Sequence, residues 1–179
     1  MEQVSYDIDR HDEISGVRGS WNEFARSNDA SQLAAQTVVG RPLWHFVAGD
    51  ETRHVYEDLI RRVRTGKRVA FSYRCDSPAL RRFMRMTMTP ADADVVEFDS
   101  VTLRTETRPP VALLAAPAVS DGMLHVCSWC KQVLVDGEWA EVEVAVERLG
   151  LFAGGPLPSL THGMCPTCLA KMMVELDRR

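Results

Sequence analysis

The chain reads Val69-Ala70-Phe71-Ser72-Tyr73-Arg74-Cys75 near its middle, with an apolar or aromatic side chain at almost every second position. This alternation predicts a half-buried β-strand. Met84, Met86 and Met88 repeat the alternation after a turn, and Val95 to Arg104 follows as a third strand. Because short turns join antiparallel strands, the sequence predicts an antiparallel sheet with these methionines on its core side.

A long amphipathic helix precedes these strands. It is predicted from Glu51 to Thr65 and ends at Gly66, a residue type that adopts the left-handed conformation common after helices. Its apolar face carries Val55, Leu59, Ile60 and Val63. Its polar face offers two i,i+4 ion pairs, Glu57–Arg61 and Asp58–Arg62.

Two more strands are predicted at the N-terminal end, over Val4 to Asp9 and around Ile14 and Val17. Ser20, with Glu23 three residues later, predicts the capped start of a short helix. The order of elements is therefore two strands, short helices, one long helix and three long strands, which gives an α+β fold.

This order resembles the PAS domain family over residues 2–107. The residues that carry the resemblance are Val39-Gly40-Arg41-Pro42-Leu43, then Leu59, Val63 and Gly66 of the helix, and Val69-Ala70-Phe71 of the next strand. The resemblance implies a five-stranded antiparallel sheet with helices on one face, used in signalling proteins for ligand sensing or dimerisation. It also implies a module that is not an enzyme and that can form a homodimer.

Two residues are candidate contacts of a PAS-like ligand cavity. His54 lies on the long helix, where haem-binding oxygen sensors of this family carry their proximal histidine, so a haem- or small-ligand-binding sensor is one alternative function. Cys75 follows Phe71 and Tyr73 on one strand face, and a buried, inert thiol is the other interpretation of it.

Four of the five cysteines fall in the last 53 residues. They form Cys127-Ser128-Trp129-Cys130 and, after 34 further residues, Cys165-Pro166-Thr167-Cys168. A two-residue gap lets both thiolates of a pair bind one metal from a single turn, and two pairs supply the four soft ligands of tetrahedral Zn²⁺. The sequence therefore predicts a structural zinc site, with His162 as a supporting residue or an alternative ligand.

The surroundings of these cysteines predict a small zinc module. Asp136-Gly137 is a favoured hairpin turn, and Glu141 to Leu149 is predicted to be a helix that ends at Gly150. A C-terminal helix begins at the second cysteine pair, and its predicted apolar face carries Leu169, Met172, Met173 and Leu176. A turn-borne pair, a hairpin and a second pair at a helix start are typical of a treble-clef zinc module.

The segment also resembles a cysteine-rich tail found beside PAS and other bacterial signalling domains, over residues 124–173. The matching residues are Cys127 to Lys131, Trp139, Thr161 to Pro166 and Cys168. Three parts are therefore predicted: a PAS-like domain over residues 1–108, a proline-containing linker over 109–122 and a four-cysteine zinc module over 123–179.

Composition and charge exclude several classes of protein. The chain has 179 residues, 45% of them hydrophobic, and a formal net charge of −4, which disfavours a generally basic nucleic-acid binder. The N-terminal residues do not read as a secretory signal, so we expect a cytoplasmic protein with reduced thiols. The stretch from Val111 to Val119 is too short to span a membrane.

Three alternatives stay open at this stage. One is a thiol redox switch in which oxidation of the four clustered cysteines releases zinc. A second is nucleic-acid binding through the zinc module, against which the acidic tail argues. The third concerns a basic hairpin, because Arg74, Arg81, Arg82 and Arg85 either form a solvated strand face or bind an anionic ligand or an acidic partner.

Overall fold

A computed structural model of the chain describes residues 3–28, 30–77, 79–109, 120–151 and 158–177. Within these ranges the chain forms two β-sheets and five α-helices. The fold is mixed α+β, as the sequence predicts.

The larger sheet has five antiparallel strands in the spatial order β2-β1-β5-β4-β3. Their bounds are β1 Gln3–Ile8, β2 Ile14–Gly19, β3 Val69–Arg74, β4 Leu80–Pro90 and β5 Val96–Thr107. Phe71 lies opposite Met86, and Met88 lies opposite Phe98, all four of them buried. The predicted five-stranded antiparallel sheet and its methionine-lined core are thus confirmed.

Three helices connect β2 to β3: α1 (Trp21–Ser27), α2 (Ala35–Val38) and α3 (Asp50–Arg64). Helix α3 buries its predicted apolar face, and Gly66 after it has a φ of 90°. The Ser20 side chain makes no capping hydrogen bond, so the predicted capping interaction is wrong.

Glu57 and Asp58 of α3 form ion pairs with other arginines than the predicted ones. Arg53 reaches Glu57 from the preceding turn, with its Nε 2.9 Å from Oε1, and Arg61 pairs with Asp58 at 2.6 Å. Side chains three and four positions apart are both neighbours on a helix, so spacing alone does not select the partner.

The C-terminal segment forms the second sheet, in the order β8-β7-β6-β9. Its elements are β6 Ser120–Cys127, β7 Val133–Val135, β8 Glu138–Ala140, α4 Val142–Arg148, β9 Pro158–Gly163 and α5 Pro166–Asp177. The hairpin turns at Asp136 and Gly137 with φ of 51° and 83°, as expected for an Asp-Gly turn. Strand β9, which pairs parallel with β6, is not anticipated by the sequence pattern.

One hydrophobic core extends from the five-stranded sheet into the C-terminal segment. It joins Leu59 and Phe71 to Trp129, Cys165 and Met172. A second, smaller core lies within the C-terminal segment and consists of Val126, Val133, Val135, Val142 and Ala145. The predicted linker falls largely on residues 110–119, which lie outside the described residues, and β6 already begins at Ser120.

Helix α5 turns only half of its predicted apolar face, Met172 and Leu176, toward the core. Met172 is buried, whereas Leu169 and Met173 are 43% and 50% exposed. Cys168 and Leu176 pack on the core together with Met172. Cys168, Met172 and Leu176 are spaced four residues apart and therefore lie on one face of the helix. This face is turned inward because Cys168 points at the other three sulfurs.

Candidate metal centre

Two tight turns bring the four clustered cysteines together. The Sγ atoms of Cys127, Cys130, Cys165 and Cys168 all lie within 4.8 Å of one another. The Sγ atoms of Cys130 and Cys165 are 3.8 Å apart. Cys127 and Cys165 are buried and the other two are half-buried, so the cluster lies just beneath the surface.

Backbone hydrogen bonds hold the first turn at the end of β6. The N–H of Cys127 donates to the carbonyl of Gln132 at 2.8 Å, and the N–H of Lys131 donates to the carbonyl of Cys127 at 2.9 Å. Lys131 takes a φ of 62°, which residues other than glycine seldom adopt. Its Nζ donates a hydrogen bond to the carbonyl oxygen of Ser128 at 2.8 Å, which bridges the turn that carries Cys127 and Cys130.

The second turn is placed by the parallel pairing of β9 with β6, in which Gly163 lies opposite Cys127. Cys165 then immediately precedes α5, whose first residue is Pro166, a residue favoured at that position. The N–H of Cys165 donates to Sγ of Cys127, and the N–H of Cys168 donates to Sγ of Cys165, both at 3.4 Å. These donors and the helix dipole favour negatively charged sulfur.

The clustered thiols shift one another's pKa values in opposite directions. Hydrogen bonds from the thiols of Cys130 and Cys168 lower the pKa of the Cys127 thiol far below its usual value. The hydrogen bond with Cys127 raises the pKa of the Cys130 thiol to about 12, and bonds to both neighbours raise the pKa of Cys168 further. The thiols thus compete for one negative charge, and a cation bound among the sulfurs would favour their thiolate forms.

The cluster is docked on the N-terminal end of α3. The hydroxyl oxygens of Thr52 and Ser128 are 2.8 Å apart, and the N–H of Met164 donates to the Glu51 carboxylate at 3.1 Å. Gly49, with a φ of 86°, lies so close to His162 that an added Cβ would come within 2.0 Å of the His162 carbonyl oxygen. Only glycine fits this approach.

Trp129, between the first two cysteines, extends the docking into the core. Its ring centroid lies 5.6 Å from that of Tyr56 and 5.7 Å from that of Phe71. The N–H of Arg74, the last residue of β3, donates to the Trp129 carbonyl at 2.7 Å. The cysteine turn is therefore attached to α3 and to the edge strand β3.

A buried ion network makes a second attachment between the two parts. Nη1 of Arg74 lies 2.9 Å from both carboxylate oxygens of Glu141, and Arg81 lies 2.9 Å from Glu143. Arg108, whose side chain is 2% exposed, lies 3.4 Å from both Asp76 and Glu143. Sequence reasoning missed this network. The sequence does contain a hint of it: several arginines cluster around the β3–β4 hairpin, and Glu141 and Glu143 could neutralise them.

The basic hairpin is thus not one surface. Arg74 and Arg81 are used in the ion network, and Arg82 contacts Asn28 and lies over the Phe24 ring. Arg85 is exposed on β4. The interpretation as one solvated strand face holds only for Arg85.

The remaining sequence candidates lie outside the cysteine cluster. His162 is half-buried on β9, and burial, with nearby Lys131, lowers its pKa. His54 is exposed on α3, with its Nε2 3.9 Å from Asp58. Cys75 is half-buried just beyond β3. Among the described residues, the cysteine cluster is the one group of three or more potential ligands that meets at a common centre.

A small apolar cavity lies between the five-stranded sheet and its helices. Its volume is about 180 Å³, and its lining includes Tyr6, Trp21, Leu43 and Tyr56. Neither His54 nor Cys75 lines it. Its described lining residues are aromatic or aliphatic and carry no charge at neutral pH. Burial raises the pKa of the Tyr56 hydroxyl to about 12.

Comparison with known proteins gives little further information. No protein-family model matches the chain, and no curated protein is similar to it. One similar solved structure is the PAS domain of the RpfR quorum-sensing receptor from Cronobacter turicensis in complex with C12:0. It is 14% identical and has a TM-score of 0.38, covering 58% of this chain and 96% of that one. A similarity of this size carries no argument about function.

None of the helices in the described ranges is long and apolar enough to cross a membrane.

Proposed function

We propose that the chain is a cytosolic, non-catalytic regulatory protein in which one structural zinc ion fastens the C-terminal segment to a PAS-like domain. The observation that carries the proposal is the convergence of four Sγ atoms within 4.8 Å at the junction of the two parts. Cysteine sulfur is a preferred ligand of Zn²⁺, and four such ligands complete a tetrahedral shell. A closed shell has no position for a reactive water, which supports a structural role.

The PAS-like assignment is part of the same proposal. It is supported by the five-stranded antiparallel sheet and by the short and long helices between β2 and β3. The cavity of about 180 Å³ exceeds an engineered 150 Å³ cavity that holds benzene and is smaller than most ligand sites. Any ligand in it is therefore a small apolar molecule, and larger partners bind at the surface.

The experiment is elemental analysis of the purified full-length chain together with its absorption spectrum. We expect about one zinc per chain and no visible absorption band. Cys130→Ser lowers the zinc content, whereas the matched control Cys75→Ser, outside the cluster, retains it. Iron with a visible band, or metal-free protein that keeps the C-terminal segment folded, would overturn the proposal.

A thiol redox switch is the second candidate, because the sulfurs of Cys130 and Cys165, 3.8 Å apart, are adjacent enough to be joined in a disulfide after a small movement. Two thiolates would form one disulfide while hydrogen peroxide is reduced to two hydroxide ions, and the remaining two sulfurs would release zinc. Zinc release under dilute peroxide, followed with a chromogenic chelator and reversed by a thiol reductant plus zinc, supports this switch. Retention of zinc under those conditions excludes it.

A further inference from the structure

A large open groove runs between the edge of the five-stranded sheet and helix α5. Its volume is about 1470 Å³, and its walls come from β3, β4 and β5 on one side and from α5 on the other. Cys130 and Cys168 contribute to its floor. The cysteine cluster thus lies at the base of the groove, where it joins the start of α5 to the rest of the fold.

The groove concentrates positive charge in a protein with a formal net charge of −4. Among the described residues that line it, seven have basic side chains and one, Glu175, is acidic. Four of the basic residues, Lys67, Arg68, Arg85 and Lys171, are exposed. They form no ion pair with an acidic side chain in the part of the chain that the structure describes.

The same groove also exposes aliphatic surface. Leu103 on β5 is 54% exposed, and Val174 on α5 is 56% exposed. The aromatic rings in the groove are poor stacking platforms for nucleic-acid bases, because Trp129 is 4% exposed and the Phe83 ring carries the Arg104 guanidinium at 3.6 Å. A concave basic channel with aliphatic side chains suits an amphipathic helix with acidic flanks.

We propose that this groove binds an acidic amphipathic segment of a partner protein. The inference rests on the proposed zinc site, since zinc holds the α5 wall in place. Charge complementarity selects acidic residues on the partner, and Leu103 and Val174 receive its apolar side chains. Basic residues on both walls contact its flanks.

The test is selection from a displayed library of random 16-residue peptides against the zinc-loaded full chain. We expect the selected peptides to be enriched in Asp and Glu, with apolar residues at i, i+3 or i+4 spacing. The double variant Arg85→Glu/Lys171→Glu should bind a selected peptide at least about tenfold more weakly. The control Arg10→Glu/Arg26→Glu makes the same change in net charge at exposed positions outside the groove and should leave binding unchanged.

A second pair of variants tests the apolar contact. Val174→Ser should weaken binding severalfold, whereas Val144→Ser, on the exposed face of α4, should not. Zinc content and thermal melts establish that each variant is folded.

Three results would overturn this inference while the zinc proposal stands. One is that the zinc-loaded chain enriches no peptide, and another is that the selected peptides bind both charge variants equally. A DNA oligonucleotide or an anionic lipid vesicle that displaces the peptide and depends on the same residues would also overturn it. A chain without zinc would instead overturn the proposed function.

Discussion

The five-stranded sheet and the C-terminal sheet differ in size. The first has strands of up to twelve residues and shares its core with three helices. The second has strands as short as three residues, and its own core consists of five small buried side chains. The core of the first part is much larger than the separate core of the C-terminal segment, and a small core gives a domain only marginal stability. The C-terminal segment adds to its own small core by packing on the first part. Its cysteines, Trp129 and Met172 pack in the larger core instead. We therefore expect the stability of the C-terminal segment to depend on the proposed zinc ion and on the contacts of the segment with α3 and β3.

The largest expected effect comes from breaking the cysteine cluster. Cys165→Ser removes one of the four proposed zinc ligands, and structural zinc contributes on the order of 10 kcal/mol to the folding of small domains. We expect hydrogen exchange to show loss of protection in β6 to α5 while β1, β4 and β5 stay protected. Equal loss in both parts would mean that they fold as one unit.

Breaking the ion network is expected to have the next largest effect. Arg108→Met removes one partner from the buried Asp76 carboxylate and one from the half-buried Glu143 carboxylate, so denaturant unfolding should show a loss of about 3 kcal/mol. Arg148→Met is the matched control, because Arg148 is 45% exposed and pairs with exposed Glu138 at 3.2 Å. Such a surface pair contributes about 0–1 kcal/mol. Similar losses in both variants would contradict the proposed role of the network.

Alkaline pH should weaken the core at the junction. Burial raises the pKa of Tyr56 from 10.0 to about 12, so the folded state binds its proton more tightly than the unfolded state. The stability from the neutral hydroxyl is complete below pH 10 and is lost as pH rises toward 12, by about 3 kcal/mol. Tyr56→Phe should reduce this loss in unfolding measurements at pH 9 to 12. An unchanged pH dependence would contradict the assignment.

The smallest expected effect is the difference in stability between two glycine-to-alanine variants, which isolates the contact between Gly49 and His162. Gly49→Ala and Gly66→Ala both force alanine into a left-handed conformation, at φ of 86° and 90°, which costs about 1–2 kcal/mol. An added Cβ at Gly49 meets the His162 carbonyl oxygen, whereas at Gly66 nothing lies within 4 Å. Thermal melts should therefore show a greater loss for Gly49→Ala. Equal losses would mean that the two parts do not approach closely there.

The two parts also differ in how far their sequences predicted them. The alternation of Met84, Met86 and Met88 and the apolar stripe of α3 predicted the first part, because those patterns repeat over many residues. The cysteine spacing likewise predicted which four residues meet. Strand β9 was missed because its residues are all half-buried and show no alternation.

The contacts between the two parts could not be predicted from local patterns. Arg74 and Glu141, or Thr52 and Ser128, are more than 60 residues apart, so no periodicity connects them. The predicted face of α5 was correct for Met172 and Leu176 and wrong for Leu169 and Met173, because the rotation of the helix also depends on the position of the other cysteines.

X-ray absorption at the zinc edge, recorded on the purified full-length chain, examines the metal centre itself. We expect a first coordination shell of four sulfur atoms at about 2.3 Å, with no nitrogen or oxygen ligand. A shell that contains nitrogen or oxygen, or fewer than four sulfur atoms per zinc, would show that the four cysteines do not form the closed site proposed for them.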